Sequence, residues 1–386
     1  MNSVSIIGGG RMAIAIIYDL IRHQNCQEIQ VIEKDAVTIE ALWKKFPGQD
    51  NLTFTQVDIL DFEKITNAVQ GADVMISAAP YQFNETLLKI ALQAHSHFLD
   101  LGGNEDVLKK QMSLHQKLVE ADLIALPACG LAPGLVSILA ADGLCRQGET
   151  TKIQIYCGGL PQVPTGPLSY QIVFSTHGLI NEYLEPVKVL ENGEVYQKPG
   201  LSDWESLDFG GEYGRLEAFL TSGGTGTLIS SLKGRVPNIF YKTLRYPGHA
   251  EKIKFLFDMG FASEKPLPGL PEACVPRKIL EKVMDEKLRG ESPDVVLTRV
   301  TLIGKKDGEA ISTTYEIVDK MDPRTGLTAM MRTTGFSAAI CAELIMEHQV
   351  EDRGVLPLER VIPTELFLKK LNRRGIFVKR VEESIE

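Results

Sequence analysis

The reading of the fold turns on "VSIIGGGRMAIAIIYDLIR", residues 4–22. "VSIIG" (4–8) is a short apolar run with β-branched residues, and "MAIAIIYDLIR" (12–22) carries helical spacing. Glycines stand where the strand becomes the helix. Gly8, Gly10 and Ala13 satisfy G-x-G-x-x-G/A. Gly8 permits the tight turn, Gly10 lets a pyrophosphate approach the backbone, and Ala13 lets helix and strand pack closely. The first helical residues, Arg11 and Met12, bring free N–H donors and a partial positive charge to the same point. Glycines also serve ordinary turns, so the flanking strand and helix give the motif its meaning.

"EIQVIE" (28–33) is a second strand that ends on Glu33. A carboxylate there can accept hydrogen bonds from an adenosine ribose and would repel a 2′-phosphate, which points to NAD. Lys34 beside it softens that argument, and a solvated strand end is the plainer alternative. Strands at 52–58, 73–79, 97–101 and 123–128 then alternate with helices at 36–46, 61–71, 84–94 and 105–121. Continuous apolar strands between helices predict a doubly wound parallel Rossmann sheet in the order 3-2-1-4-5-6. Two more strand ends should face the same crevice. Asp58 follows the third strand, where it either reaches the adenine region or caps a helix. Ser77, Ala78, Ala79 and Tyr81 follow the fourth, with small residues where a nicotinamide ribose could lie.

After Pro127 the texture changes. "APGLVSILAADGL" (132–144) predicts a helix with Pro133 in its first turn. Runs at 151–160, 216–222, 239–246, 295–304 and 312–319 mostly alternate apolar and polar residues. They predict a second, α+β domain with a mixed or antiparallel sheet. Helices are expected at 248–260, 276–288, 335–347 and 363–375, the last two apolar on one side. The division expected is 1–127 for the dinucleotide-binding domain, completed by helices from 335–386, and 128–334 for the substrate domain.

The 386 residues suit roughly two to three domains. The net charge of −9 argues against nucleic acid and against an anionic membrane surface. The six cysteines form no CxxC and no zinc-like spacing with histidine, so no metal is expected. No apolar stretch reaches the ~20 residues of a membrane helix, and the N-terminus does not read as a secretory signal. A reduced, soluble, cytoplasmic protein is the expectation.

"TLRYPGHAEK" (243–252) crowds Arg245, Tyr246, His249 and Glu251 around Pro247-Gly248. Arg245 offers a planar fork suited to a carboxylate, or to a structural ion pair. His249 begins a helix, which favours the neutral, base-competent ring, though a structural histidine is the plainer reading. Tyr246 reads as a substrate contact or as packing, and Glu251 as a helix-start charge. Asp100, at the end of the fifth strand, could meet an ammonium or cap the next helix. His177 and Glu217 are further second-domain candidates. "TSGGTGT" (221–227), with Thr225, reads as a substrate contact or a turn, since it lacks the lysine of a phosphate-binding P-loop.

Together "SIIGGGRMAIAIIYDL", "YQFNETLLKIAL", "FLDLGGN", "LPACGLAPGLVSILAADGL", "EAFLTSGGTGTL" and "YKTLRYPGHAEKIKFL" resemble the saccharopine dehydrogenase-like family, over nearly the whole chain. The resemblance implies a Rossmann domain joined to an α+β substrate domain, with C-terminal helices returning to the first. It implies an NAD-dependent oxidoreductase acting on an amine, within a homodimer or larger homo-oligomer. The nearest branch oxidatively deaminates the ε-amine of L-lysine to 2-aminoadipate 6-semialdehyde, which cyclises to a piperideine carboxylate, with release of ammonia. In the Gly-x-Asp-Pro-Gly block of the glutamate-releasing enzymes, this sequence has Ala132 in place of Asp, which favours the lysine branch. The alternatives are a saccharopine or carboxynorspermidine dehydrogenase acting on a secondary amine, and a non-catalytic NAD-binding sensor.

Overall fold

Two sheets share one chain, and the chain passes between them more than once. A computed structural model describes residues 2–23, 26–271, 274–290 and 292–385. The strands of the first half are β1 (Ser3–Ile7), β2 (Glu28–Glu33), β3 (Leu52–Gln56), β4 (Val74–Ser77), β5 (His97–Asp100) and β6 (Ile124–Leu126). Then come β7 (Glu149–Pro161), β8 (Val187–Glu191), β9 (Glu194–Lys198), β10 (Glu205–Asp208), β11 (Arg215–Leu220) and β12 (Asn238–Arg245). The last are β13 (Asp294–Lys306), β14 (Glu309–Lys320), β15 (Gly354–Val355) and β16 (Lys379–Ser384).

The first sheet runs β15-β6-β5-β4-β1-β2-β3, and its pairings are parallel. That is the expected 3-2-1-4-5-6 order read from the other edge, with β15 added. Helices cover both faces, so β4 is buried at all four positions. The second sheet follows the path β10-β11-β12-β7-β13-β14-β16, with β8 and β9 branching from β12. It is mixed, as expected: β12 pairs parallel with β7, and β7 pairs antiparallel with β13.

Two helices are enclosed in the core: Leu135–Arg146 packs on β7 and β13, and Ala329–Met346 touches β4 and β5 of the first sheet as well as β13 of the second. In Leu135–Arg146, residues 135–144 are all buried, and Ala329–Met346 is buried at almost every position. A helix apolar on all sides belongs inside a protein. The second of these therefore departs from the expected one-sided helix, and it also starts six residues before the expected 335. Its Gly335 lets it press on the first helix, because a Cβ there would stand 2.6 Å from Ala15 Cβ.

Other local expectations change. The stretch expected as one helix at 105–121 is broken into Glu105–Met112 and His115–Glu120. Pro133 precedes the helix that starts at Leu135, after a cis Ala132–Pro133 bond, rather than lying in its first turn. The segment after 335 is also shared out. β15 extends the first sheet, Thr364–Arg373 packs on Ala329–Met346, and β16 pairs with β14 in the second sheet. Residues 379–384 therefore belong to the second sheet, because their backbone completes its β14 edge rather than the first domain.

Candidate active-site cleft

The carboxyl ends of β1 and β4 open into a cleft of about 490 Å³. One wall comes from the first domain: Gly10, Arg11, Met12, Ala78, Ala79 and Tyr81. The opposite wall comes from the second: Cys157-Gly158-Gly159 on β7, Tyr170, Glu182 on the helix Thr176–Leu184, and Tyr241, Thr243 and Arg245 on β12. Open α/β sheets gather ligands at this point.

The first wall is mostly backbone. Gly8 has φ +99°, and a Cβ there would meet the Ala78 carbonyl oxygen at 3.0 Å. A Cβ on Gly10 would meet no atom within 4 Å, so it would project into the cleft itself. The Glu33 carboxylate accepts from Gly9 N–H at 2.7 Å and from the amides of Lys34 and Asp35 at 2.8 and 2.9 Å. That ties the end of β2 to the glycine turn. A turn open to close approach, a helix N-terminus and a carboxylate beside them fit the pyrophosphate and ribose of a dinucleotide. Ala13 is buried under the turn. Ser77 is also buried and donates to Asn84 at 2.7 Å, so it braces the loop from behind. Asp58 is exposed and accepts from Leu60 N–H at 3.0 Å, in a local turn away from the cleft wall.

The second wall is made of side chains. Arg245 is 3% exposed. Its Nε donates to the Tyr183 hydroxyl at 3.0 Å and its Nη1 to the Leu244 carbonyl at 2.8 Å. The guanidinium lies 4.6 Å from the centre of the Tyr170 ring, a cation–π contact. Gly158 makes room for this corner, since a Cβ there would be 2.5 Å from the Leu244 oxygen.

Glu182 was missed by sequence reading. It faces the cleft, and none of its side-chain oxygens accepts a hydrogen bond among the described residues. Burial pushes its carboxyl up to about 8, with Glu185 adding to the rise and Arg245 opposing it. A desolvated acid in a cleft, shifted toward neutral pH, is a signature of proton chemistry.

The other candidates fall into two groups. His177 lines the cleft, but its Nδ1 lies 2.9 Å from Glu281 on a neighbouring helix. The remaining ones lie off the main cleft wall. His249 is 1% exposed, with Nε2 at 3.0 Å from the Tyr183 hydroxyl and Nδ1 at 3.1 Å from the Leu168 carbonyl. Burial first, then the Arg245 charge, push its ring down to about 3. Both nitrogens are engaged inside the protein, so the expectation of a proton-accepting His249 at the substrate does not hold. Asp100 is fully buried and accepts from Gly102, Ala128 and Gln111 at 2.7, 3.0 and 2.6 Å. It knits the ends of β5 and β6 together, and the cap of the following helix is Asn104. A group so enclosed cannot meet a substrate ammonium. Glu217 accepts from Gly248 and Ala250 N–H at 2.8 and 2.6 Å, capping the helix His249–Asp258. Tyr246 donates to the Pro161 carbonyl at 2.9 Å, and Thr225 is buried. These three build the wall from behind.

Models of known families settle what this architecture is. The saccharopine dehydrogenase NADP binding domain matches residues 4–126, and the saccharopine dehydrogenase C-terminal domain matches residues 130–376. The chain belongs to the saccharopine dehydrogenase family. Its first domain is accordingly a pyridine-nucleotide-binding domain. Within the family, the chain is 23% identical over 412 residues to a saccharopine dehydrogenase (NADP(+), L-glutamate-forming) of Pyricularia oryzae, covering 88% of this chain and 91% of that one. It is 22% identical over 394 residues to a carboxyaminopropylagmatine dehydrogenase of Synechocystis sp., covering 97% and 96%. The apo saccharopine dehydrogenase (L-Glu forming) of Saccharomyces cerevisiae shares the fold over 100% of both chains, with a TM-score of 0.80 and 19% identity. Among the described residues no group of histidine, cysteine or carboxylate side chains is placed to hold a metal ion, and no helix is long and apolar enough to cross a membrane.

Proposed function

We propose that the chain is an NAD-dependent amine dehydrogenase whose preferred substrate is L-lysine, oxidised at the ε-carbon with release of ammonia. The observation that carries this reading is that Glu182 and Arg245 both line the wall opposite the glycine turn. Residues 1–127 would bind the nucleotide and 128–334 would present the substrate.

Bound nicotinamide supplies the hydride acceptor. The chain's own residues do the rest. Arg245 holds the substrate carboxylate through the guanidinium N–H groups that Tyr183 and Leu244 leave free. Glu182 takes the proton from the substrate ammonium, since a cationic nitrogen cannot push electrons toward an imine. Water then adds to that imine, and ammonia departs. Holding the amino-acid end fixed sets the reacting carbon against the cofactor, the kind of positioning worth several kcal/mol of barrier.

Charge in the cleft favours lysine over a secondary amine such as saccharopine. Among the described residues, Arg11 and Arg245 are the only arginines lining it, and no lysine lines it. Arg11 stands at the glycine turn, where a pyrophosphate would claim it. That leaves one fixed cation for the substrate, which suits one carboxylate; saccharopine carries further carboxylates. Glu33 supports NAD, because its carboxylate would repel a 2′-phosphate.

The test is the appearance of reduced nicotinamide with purified protein, with L-lysine and saccharopine compared under NAD and under NADP. Lysine-dependent reduction of NAD with stoichiometric ammonia is expected. Turnover of saccharopine alone would overturn the substrate assignment, and dinucleotide binding without turnover of either would overturn the lysine reading.

A further inference from the structure

His249 has no route to the cleft, yet its hydrogen bonds admit a single order. The Leu168 carbonyl can only accept, so His249 Nδ1 must carry a proton. In the neutral ring Nε2 is then an acceptor, and the Tyr183 hydroxyl 3.0 Å away must donate to it. That leaves the Tyr183 oxygen free to accept from Arg245 Nε, which has only a proton to give. The chain of donors closes without a conflict: Arg245 to Tyr183, Tyr183 to His249, His249 to the Leu168 carbonyl.

We infer that Tyr183 and His249 are positioning residues, forming a proton-ordered relay that holds the Arg245 guanidinium in one orientation toward the substrate. The inference rests on the reading of Arg245 as carboxylate anchor. Tyr183 fixes the Nε edge and the Leu244 carbonyl fixes Nη1. Tyr170 backs the flat face. The side chain can then neither swing nor roll, and Nη2, which donates to no described residue, is left for a ligand.

The surroundings of His249 keep the relay in this order. Its ring meets Tyr170 and Tyr183 edge-on, at 5.2 and 5.8 Å between centres. The charged groups acting on it are Arg245 from β12 and Lys252 from its own helix, both cationic. A second ring proton would add a positive charge beside them. It would also aim an N–H at a Tyr183 oxygen already receiving one from Arg245, and the phenol proton would lose its acceptor. Burial and these cations hold the ring neutral far below its ordinary range. The ring thus provides constancy, while proton transfer is left to Glu182.

Two measurements test the relay. The first needs no substrate: nitrogen NMR of protein labelled at histidine, with the His249 signal assigned by its loss in His249→Gln. Between about pH 5 and about pH 8 the ring should stay neutral with its proton on Nδ1, a range in which an ordinary histidine titrates. Titration in that range, or a proton resident on Nε2, would overturn the order. The second is kinetic. Tyr183→Phe should raise KM for the amino acid about tenfold while kcat changes less than about threefold and the dinucleotide Kd stays put. His249→Leu should reproduce that loss, and the double variant should add little to either, since the residues act as a unit. His249→Gln restores an acceptor for the phenol and should recover most of the KM. An active wild type with an unchanged KM in Tyr183→Phe sinks the relay alone. A wild type inactive on every amine sinks the anchor reading instead, and the nitrogen spectrum still decides the proton order.

Discussion

The two walls of the cleft are built from different materials. The first-domain wall is glycine, alanine and exposed N–H groups; its shape comes from one turn and one helix start. The second-domain wall is Arg245, Glu182, Tyr170 and Tyr241, drawn from β12, a helix and a loop far apart in sequence. A backbone wall suits a ligand of fixed shape that many proteins bind. A side-chain wall can be rebuilt one residue at a time, which suits the part of a reaction that differs between relatives. The two walls should therefore fail differently when altered.

The largest effect is expected on the side-chain wall. Glu182→Gln keeps shape and removes the titrating proton. It should lower kcat by about 10²–10⁴-fold with the dinucleotide Kd unchanged, as stopped-flow turnover and fluorescence titration would report. A loss confined to KM would recast Glu182 as a binding group. Arg245→Lys should cost about 10- to 100-fold in kcat/KM, because a point charge cannot keep both the Tyr183 bond and a flat contact with Tyr170. Near-normal activity would show that the guanidinium fork is not needed.

On the backbone wall, truncation has nothing to remove and only an added Cβ matters. Gly8→Val must adopt φ +99° and press on the Ala78 carbonyl. It should weaken dinucleotide binding by about 10-fold or more, consistent with the ~1–3 kcal/mol of such backbone strain. Calorimetric titration checks it, and unchanged affinity would mean the turn does not touch the ligand.

The pH profile sharpens the same contrast. The Glu182 carboxyl is raised from its ordinary 4.5 to about 8. The folded protein thus binds a proton there that the unfolded chain has lost. That contribution to stability is present below about 4.5 and fades as pH rises through about 8. Activity should run the other way, with kcat/KM climbing through about pH 8 as the carboxylate forms. A flat profile from pH ~6 to ~9 would remove Glu182 from proton transfer. The smallest effect is expected at His177, which is exposed and paired with Glu281; His177→Ala should change kcat/KM by less than about threefold.

The same contrast explains what could be read from the chain. The order of the first six strands follows from local signals, namely apolar runs, glycines at fixed offsets and helical spacing, and the cofactor wall needs little more. The short β9 and β10 and the edge strand β16 carry few apolar residues, so alternation does not announce them. "INEYL" around Glu182 reads as an ordinary amphipathic turn, because only the fold sets it on the same cleft wall as Arg245 of β12. His249 shows the converse. Its place beside Arg245 in "RYPGHAEK" suggested chemistry, but β12 ends at Arg245 and the helix starts at His249. The bend between them turns the histidine ring to the back of the arginine rather than to the cleft. The polar letters of that motif place His249 behind Arg245, with the Tyr183 hydroxyl between them.

The return of the chain end has a consequence for how the molecule is assembled. The first sheet takes its last strand from residues 354–355, and the helix pressed against Ala15 begins only at residue 329. On the ribosome, the nucleotide-binding half would therefore wait, with a long apolar helix face uncovered, until most of the second half has been made. The two halves cannot mature in turn; they close together, late, and a chain interrupted before residue 329 would expose that face to any chaperone that recognises unpaired apolar surface.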